Sequence, residues 1–217
     1  MTTEFLYPFQ HAGRRDPAAL LADVARSTRE KVAEIEALRA EVLAENAGAL
    51  AACATAMAQR FAQGGRLYAF GNGGSSTDAM AVAALHVDPG PGFVPLPAVA
   101  VPADVATLTA LANDVGFEVV FARPLAAAGR PVDIAMGMST SGGSANVVRG
   151  LAAARACGML TVGLAGYAGG ALAEAAERGE IDHLVVVPSS SVHRIQEAET
   201  TVYHVLWELV QVALGPP

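Results

Sequence analysis

Charge is scarce in this chain. Only 16% of its 217 residues are Asp, Glu, Lys or Arg, against 53% apolar residues, and the net charge is −7. Basic residues form no cluster, which excludes a nucleic acid or an anionic membrane as the main partner while leaving room for a small anion held locally. Cysteine is nearly missing. Cys53 and Cys157 lie in alanine-rich, helix-like stretches without CxxC or histidine spacing, so neither a disulfide framework nor a zinc knuckle is expected, and a reducing cytoplasm fits. No apolar run is long enough to cross a bilayer, and residues 1–17 show no basic start followed by a long apolar stretch; export is not expected. Internal repeats are absent, and the turn-rich DPGPGF at 88–93 is the nearest thing to a linker. What remains is enough chain for one well-buried core. An apolar composition of this kind predicts an oligomer, unless alanine alone inflates the count.

The organisation is read from rhythm. After an arm covering residues 1–15, Asp16 and Pro17 read as a helix cap followed by proline in the first turn. Leu20, Val24, Val32, Ile35, Leu38 and Val42 then recur at threes and fours, predicting a helix to about Leu43, with a second from Ala47 to Gln63 stopped by Gly64 and Gly65. From Arg66 onward short apolar runs alternate with helical stretches, the punctuation of βαβ units. The strands are expected at Leu67–Phe70, Ala98–Val101, Asp133–Met138, Leu160–Leu164 and His183–Val187. The helices are expected at Ser76–His86, Val105–Ala112, Ala145–Ala156, Gly170–Glu177 and Arg194–Leu214. Strands so continuously apolar belong in a parallel sheet covered on both faces.

Two loops could hold a phosphate. Residues 71–80, GNGGSSTDAM, follow a strand and open a helix; Gly71, Gly73 and Gly74 let the backbone approach an anion, and Asn72, Ser75 and Ser76 add donors. The P-loop lysine is absent, and Ser76 stands where a dinucleotide fingerprint needs its last glycine, so a merely structural turn stays open. Residues 137–146, GMSTSGGSAN, repeat the arrangement with Ser139, Thr140, Ser141 and Ser144 around a possible backbone nest, which holds a phosphate dianion without lysine or else serves as a plain helix cap. The GxSxG elbow of serine hydrolases is not met.

These loops, with LANDVGF at 111–117 and HRIQEAETTVYHVLWELV at 193–210, resemble the sugar isomerase (SIS) domain family and within it the phosphoheptose isomerase branch. The resemblance implies an α/β three-layer sandwich, flavodoxin-like, with a five-stranded parallel sheet preceded by N-terminal helices, making residues 16–217 a single SIS domain. It implies a cytoplasmic homotetramer with a phosphorylated sugar as ligand, and a zinc-assisted ketose–aldose isomerisation of sedoheptulose 7-phosphate. By position, Asn72, Gly73, Gly74, Ser75, Asn113 and Asp114 would meet the sugar, and Ser139, Thr140, Ser141 and Ser144 the phosphate. Gln196 and His204 would ligate the metal, His204 also moving protons.

The chain departs from that pattern where chemistry is concentrated. The branch carries a histidine and a glutamate four residues apart on the helix after the glycine loop; here these positions are Ala81 and Leu85, which neither bind zinc nor accept a proton. The zinc site is therefore incomplete and the expected base missing. His193 stands where the branch favours aspartate and is the second catalytic candidate, or else a solvated loop histidine. His86 is turned about 100° from position 85. Glu197 and Glu199 are expected in surface or interface ion pairs, and His183 and His11 as structural or solvated. Two functions follow: a phosphosugar isomerase with a rearranged site, or a non-catalytic phosphosugar-binding regulator with a protein partner, similar to the replication-initiation regulator of the family.

Overall fold

The structure is a computed structural model that describes residues 16–215; the arm expected over 1–15, His11 included, lies outside the described residues. The first helix, α1, runs unbroken over Pro17–Ala62. Asp16 caps it, its carboxylate accepting from Ala18 N at 3.1 Å. The break expected near residues 44–46 does not occur. Neither glycine nor proline stands there, and the Asn46 amide donates to the Val42 carbonyl one turn back at 2.8 Å, so its side chain follows the helix instead of ending it. By its contacts the chain divides into two compact units, Met1–Ala37 and Leu38–Pro217. In the first, Arg26 pairs with Asp23 at 2.8 Å, and Leu20, Leu21, Val24 and Val32 are exposed.

The second unit is a three-layer α/β sandwich. Its strands are β1 (Leu67–Gly71), β2 (Ala98–Ala100), β3 (Ile134–Ser139), β4 (Leu160–Gly166) and β5 (His183–Val187), and the helices after α1 are α2 (Gly74–Val87), α3 (Val105–Asp114), α4 (Ala122–Ala128), α5 (Ala145–Ala156), α6 (Gly170–Glu177) and α7 (Val192–Leu214). All strand pairs are parallel, in the order β2-β1-β3-β4-β5. Burial follows position. Every residue of β1, β3 and β4 is buried, while the edges β2 and β5 are partly open, as expected where helices cover both faces of the middle strands. The helix α4 and a 3-10 turn at Phe117–Val119 occupy a stretch for which no element was expected.

Close approach of α5 to the sheet rests on two glycines. A β-carbon at Gly150 of α5 would meet Phe70 at 2.8 Å, and one at Gly137 of β3 would meet Val147 at 3.0 Å and Leu151 at 3.1 Å. Phe70, Val147, Leu151, Phe121 and Leu125 fill the layer so formed. At the other end of the strands Asp133, wholly buried, accepts from Arg66 N at 2.8 Å, Arg130 N at 2.9 Å and the Arg130 guanidinium at 2.7 Å. Burial pushes its carboxyl up, yet the Arg130 and backbone hydrogen bonds outweigh that and hold it below the ordinary range.

The topology fixes where a ligand can sit. From β1 the chain moves outward to β2, then crosses back to place β3 on the other side of β1. The carboxyl ends of β1 and β3 thus form a switch point, with Gly71 level with Met138.

Candidate functional site

Both loops singled out in the sequence open from this switch point. The glycine loop leaves β1 at Gly71, turns at Gly73 with φ 56°, and enters α2 at Gly74. The serine loop leaves β3 at Ser139 and enters α5 after Ser144. A reciprocal amide pair ties them together: Asn72 Nδ2 donates to Asn146 Oδ1, and Asn146 Nδ2 to Asn72 Oδ1, each at 2.8 Å. Asn146 is buried, and its Oδ1 also accepts from Val147 N at 3.0 Å. Asn146 escaped the sequence reading. Its signal was its place just inside α5, where an amide can turn back toward the preceding loop.

The serine loop draws its hydroxyls inward. Ser139 Oγ lies 2.9 Å from Ser144 Oγ and 3.4 Å from Ser141 Oγ, and Gly143 N donates to Ser141 Oγ at 3.2 Å. Ser144 takes the N-cap position of α5 without capping it through its side chain, so its hydroxyl faces the other serines. Thr140 is half-buried beside them. The loop is shaped from outside by the β4–α6 turn: Leu172 N donates to the Gly142 carbonyl at 3.0 Å, and at Gly142, φ 64°, a β-carbon would collide with the Gly169 carbonyl. Hydroxyl hydrogens rotate freely, so three serines and the amino end of a twelve-residue helix form a donor set for a tetrahedral anion.

The glycine loop is less uniform. Asn72 is half-buried, Gly73 and Gly74 are exposed, and Ser75 is buried against Gly71, where it supports the turn. Gly74 is required by a neighbour from α7, since a β-carbon there would collide with the Gln196 amide. Gln196 is thereby brought to the loop, near Asp78 of α2, whose carboxyl is pushed up by burial and drawn partly back down by the Gln196 amide. His204, two turns further along α7, is exposed; its Nδ1 lies 2.7 Å from the Thr200 carbonyl, which makes Nδ1 the protonated nitrogen and leaves Nε2 as an acceptor. His193 is exposed in the first turn of α7. Asn113 and Asp114, at the carboxyl end of α3, are exposed and bonded to each other at 2.8 Å; no described contact ties them to the serine loop.

His86 and Glu197 stand as expected, and Glu199 does not. His86 does not serve the site: it is buried, Nδ1 lies 2.8 Å from the Val82 carbonyl, and its ring packs 5.7 Å from that of Phe61. Burial lowers its pKa to about 4. Glu199, expected in a surface or interface pair, is wholly buried on the face of α7 that carries Ile195, Val202, Leu206 and Val210, and neither of its oxygens has a hydrogen-bond partner. Burial, then the nearby Asp78 charge, pushes its carboxyl up to about 8. Glu197 does pair, with Arg194 at 2.7 Å.

A zinc ion does not fit these residues. Ala81 is exposed and Leu85 half-buried on α2, neither with a donor atom, so the amide of Gln196 and the imidazole of His204 stand as two ligands where a tetrahedral site takes three or four from protein. Among the described residues no three His, Cys, Asp or Glu side chains gather as a metal group. No described helix is long and apolar enough to cross a membrane.

Comparison with known proteins agrees with this architecture. The SIS domain family model matches residues 32–166. A phosphoheptose isomerase of Roseiflexus sp. (strain RS-1) is 41% identical over 194 residues, 86% of this chain and 94% of that protein. One of Chlorobaculum parvum is 40% identical over 182 residues, 82% of this chain and 85% of that protein. Among solved structures, the phosphoheptose isomerase from Neisseria gonorrhoeae superposes with a TM-score of 0.79 at 32% identity, covering 87% of this chain and 99% of its own. That from Francisella tularensis does so at 0.73 and 30%, covering 85% and 98%. Identity sustained over this much of both chains, on a sheet of the expected order, means that the chain belongs to the SIS domain family, in the branch of the phosphoheptose isomerases.

Proposed function

We propose that this chain binds a phosphorylated sugar at the β1/β3 switch point and isomerises it between ketose and aldose, with sedoheptulose 7-phosphate the first candidate. One observation carries the reading: Ser139, Ser141 and Ser144 converge at the amino end of α5, locked by the Asn72–Asn146 pair to a glycine loop whose Gly73 and Gly74 are exposed. In this reading Ser139, Thr140, Ser141, Ser144 and the α5 amides hold the phosphate dianion. Asn72, Gly73 and Gly74 border the sugar, Ser75 supports that wall, and Asn113 and Asp114 meet the far end of the ligand. Gln196 offers its amide from above Gly74.

The reaction moves a proton from the hydroxymethyl carbon of the ketose to its neighbouring carbonyl carbon, while a hydroxyl proton crosses between the two oxygens. That demands one group able to accept and return a proton. His204 is that group in this reading, because its Nδ1 contact with Thr200 leaves Nε2 as the acceptor. His193, exposed at the start of the same helix, is the second candidate. No step runs through zinc. A homotetramer goes with this reading, and light scattering at micromolar concentration tests it.

Proton NMR of sedoheptulose 7-phosphate with the purified protein is the direct test. The expected outcome is an aldose heptose phosphate that forms with or without a chelator and slows by roughly 100-fold or more in His204→Asn. Ligand binding without product would leave the pocket assignment standing and remove the catalytic one. Ser141→Ala and Ser144→Ala should each weaken binding by about 1 kcal/mol or more in titration calorimetry, since each removes a donor to a charged oxygen. Unchanged affinity in both would put the phosphate elsewhere.

A further inference from the structure

A carboxamide has nearly the same shape at its oxygen and its nitrogen, so the Asn72–Asn146 pair would sit equally well turned end for end unless a third group set its direction. Val147 N is that group. It can only donate, and it lies 3.0 Å from Asn146 Oδ1 while also reaching the Ser144 carbonyl at 3.0 Å. The Asn146 atom that faces it is therefore oxygen, and the other is the nitrogen that donates to Asn72 Oδ1 at 2.8 Å. Asn72 Nδ2 donates back to Asn146 Oδ1, again at 2.8 Å. A backbone N–H in the first turn of α5 thus sets the direction of a side chain on the loop between β1 and α2. The two partners differ in exposure: Asn146 is 3% exposed, whereas Asn72 is half-buried and followed by the exposed Gly73 and Gly74.

We infer that Asn146 is a positioning residue: it holds the Asn72 carboxamide in one orientation, so that the second N–H of Asn72 is presented as a fixed donor to a sugar oxygen. Each partner spends one N–H and one lone pair on the other, and Asn146 Oδ1 spends its remaining lone pair on Val147 N. Asn72 keeps one N–H and one lone pair, neither with a described partner. In a reciprocal amide pair the bonded hydrogen of each nitrogen is the one on the side of its own carbonyl, so the spare hydrogen of Asn72 lies on the edge away from Asn146. An unpaired asparagine turns over at little cost and reads donors and acceptors alike. This one would have to break both hydrogen bonds and set oxygen against oxygen. Asn146 touches no ligand; it acts through Asn72. None of the hydrogen bonds that gather Ser139, Ser141 and Ser144 passes through its side chain, so the phosphate half and the sugar half of the site are separable by experiment.

The affinity readout rests on the sugar-phosphate reading, but the amide readout does not. In nitrogen-15 NMR, with Asn72→Ala used for assignment, the two Nδ2 protons of Asn72 should exchange with water at clearly different rates, one protected inside the pair and one open. Asn146→Leu, which fills a similar volume without polar atoms, should make the two alike; Asn146→Ala takes its place if the leucine variant does not fold. Equal rates in wild type, or unequal rates that persist in the variant, overturn the inference. For function, the Kd values of sedoheptulose 7-phosphate and of inorganic phosphate are compared in wild type, Asn146→Leu, Asn72→Ala and the double variant, all with native circular dichroism. Asn146→Leu should weaken sugar phosphate binding about tenfold and leave inorganic phosphate within about twofold of wild type. In the Asn72→Ala background the same substitution should cost less than about twofold, because the group it positions is already gone. A parallel loss of inorganic phosphate, or an undiminished loss in the Asn72→Ala background, would make Asn146 a support of α5 alone and overturn the positioning role. If wild type binds inorganic phosphate but no sedoheptulose 7-phosphate, the proposed ligand fails while the exchange rates still decide whether Asn146 holds Asn72.

Discussion

Two buried titratable side chains pull against each other in this protein. His86 is held neutral, its pKa lowered to about 4 by burial, so unfolding takes up a proton wherever the pH lies between that value and the ordinary 6.5. Its contribution to stability is present above pH 6.5 and is lost as the pH falls toward 4. Glu199 works with the opposite sign. Its carboxyl is pushed up from 4.5 to about 8, so the folded state keeps a proton that the unfolded chain releases, and the contribution fades as the pH rises through 8. Glu199→Gln should raise the thermal midpoint at pH 9 and leave it nearly unchanged at pH 4, a difference on the order of 5 kcal/mol. His86→Met should do the reverse, relieving the acid side. Glu199 was misplaced by sequence reasoning because charge was weighed before period: its spacing from Ile195, Val202 and Leu206 sets it on the buried stripe of α7. The serines and glycines of the two loops were legible because small polar residues clustered after apolar strands have few other uses.

At the scale of elements, the strands were readable to within two residues and the long helix was not. Strands in a covered parallel sheet announce themselves as apolar runs with turn residues at each end. The α1 boundary failed because alanine, glutamate and asparagine near residue 45 weaken the apolar period without breaking the helix, and period is not continuity. The short α4, ARPLAAA, has too few turns to show a period at all. Packing between elements depends on missing side chains, which gives two contrasting predictions. Gly150→Ala should cost about 1–3 kcal/mol in urea unfolding, because its methyl would press on Phe70 inside a full layer. Gly74→Ala meets the end of a flexible glutamine, so stability should change by less than about 1 kcal/mol while ligand affinity falls as Gln196 is displaced.

For the whole molecule, the opposed titrations predict a plateau of stability between about pH 4.5 and 6.5, where the two proton balances cancel, with a decline on either side. Asp133 adds a second acid loss below its ordinary value of 3.8, because its hydrogen bonds to Arg130 and the backbone hold its folded pKa down. Calorimetry across pH 3 to 9 checks the shape; a single maximum near pH 8 would contradict it. The amide pair that joins the loops has a different consequence, one of time. Asn72 and Asn146 are 74 residues apart, with β2, α3 and α4 lying between them in the chain. Contacts that close so long a loop form late. A chain ending before residue 139 lacks the second half of the cradle, and a folding transition state that has not yet seated β3 has nothing with which to grip an anion. Ligand added during refolding should therefore leave the folding rate unchanged and slow unfolding instead, lengthening the life of the native state without hastening its arrival.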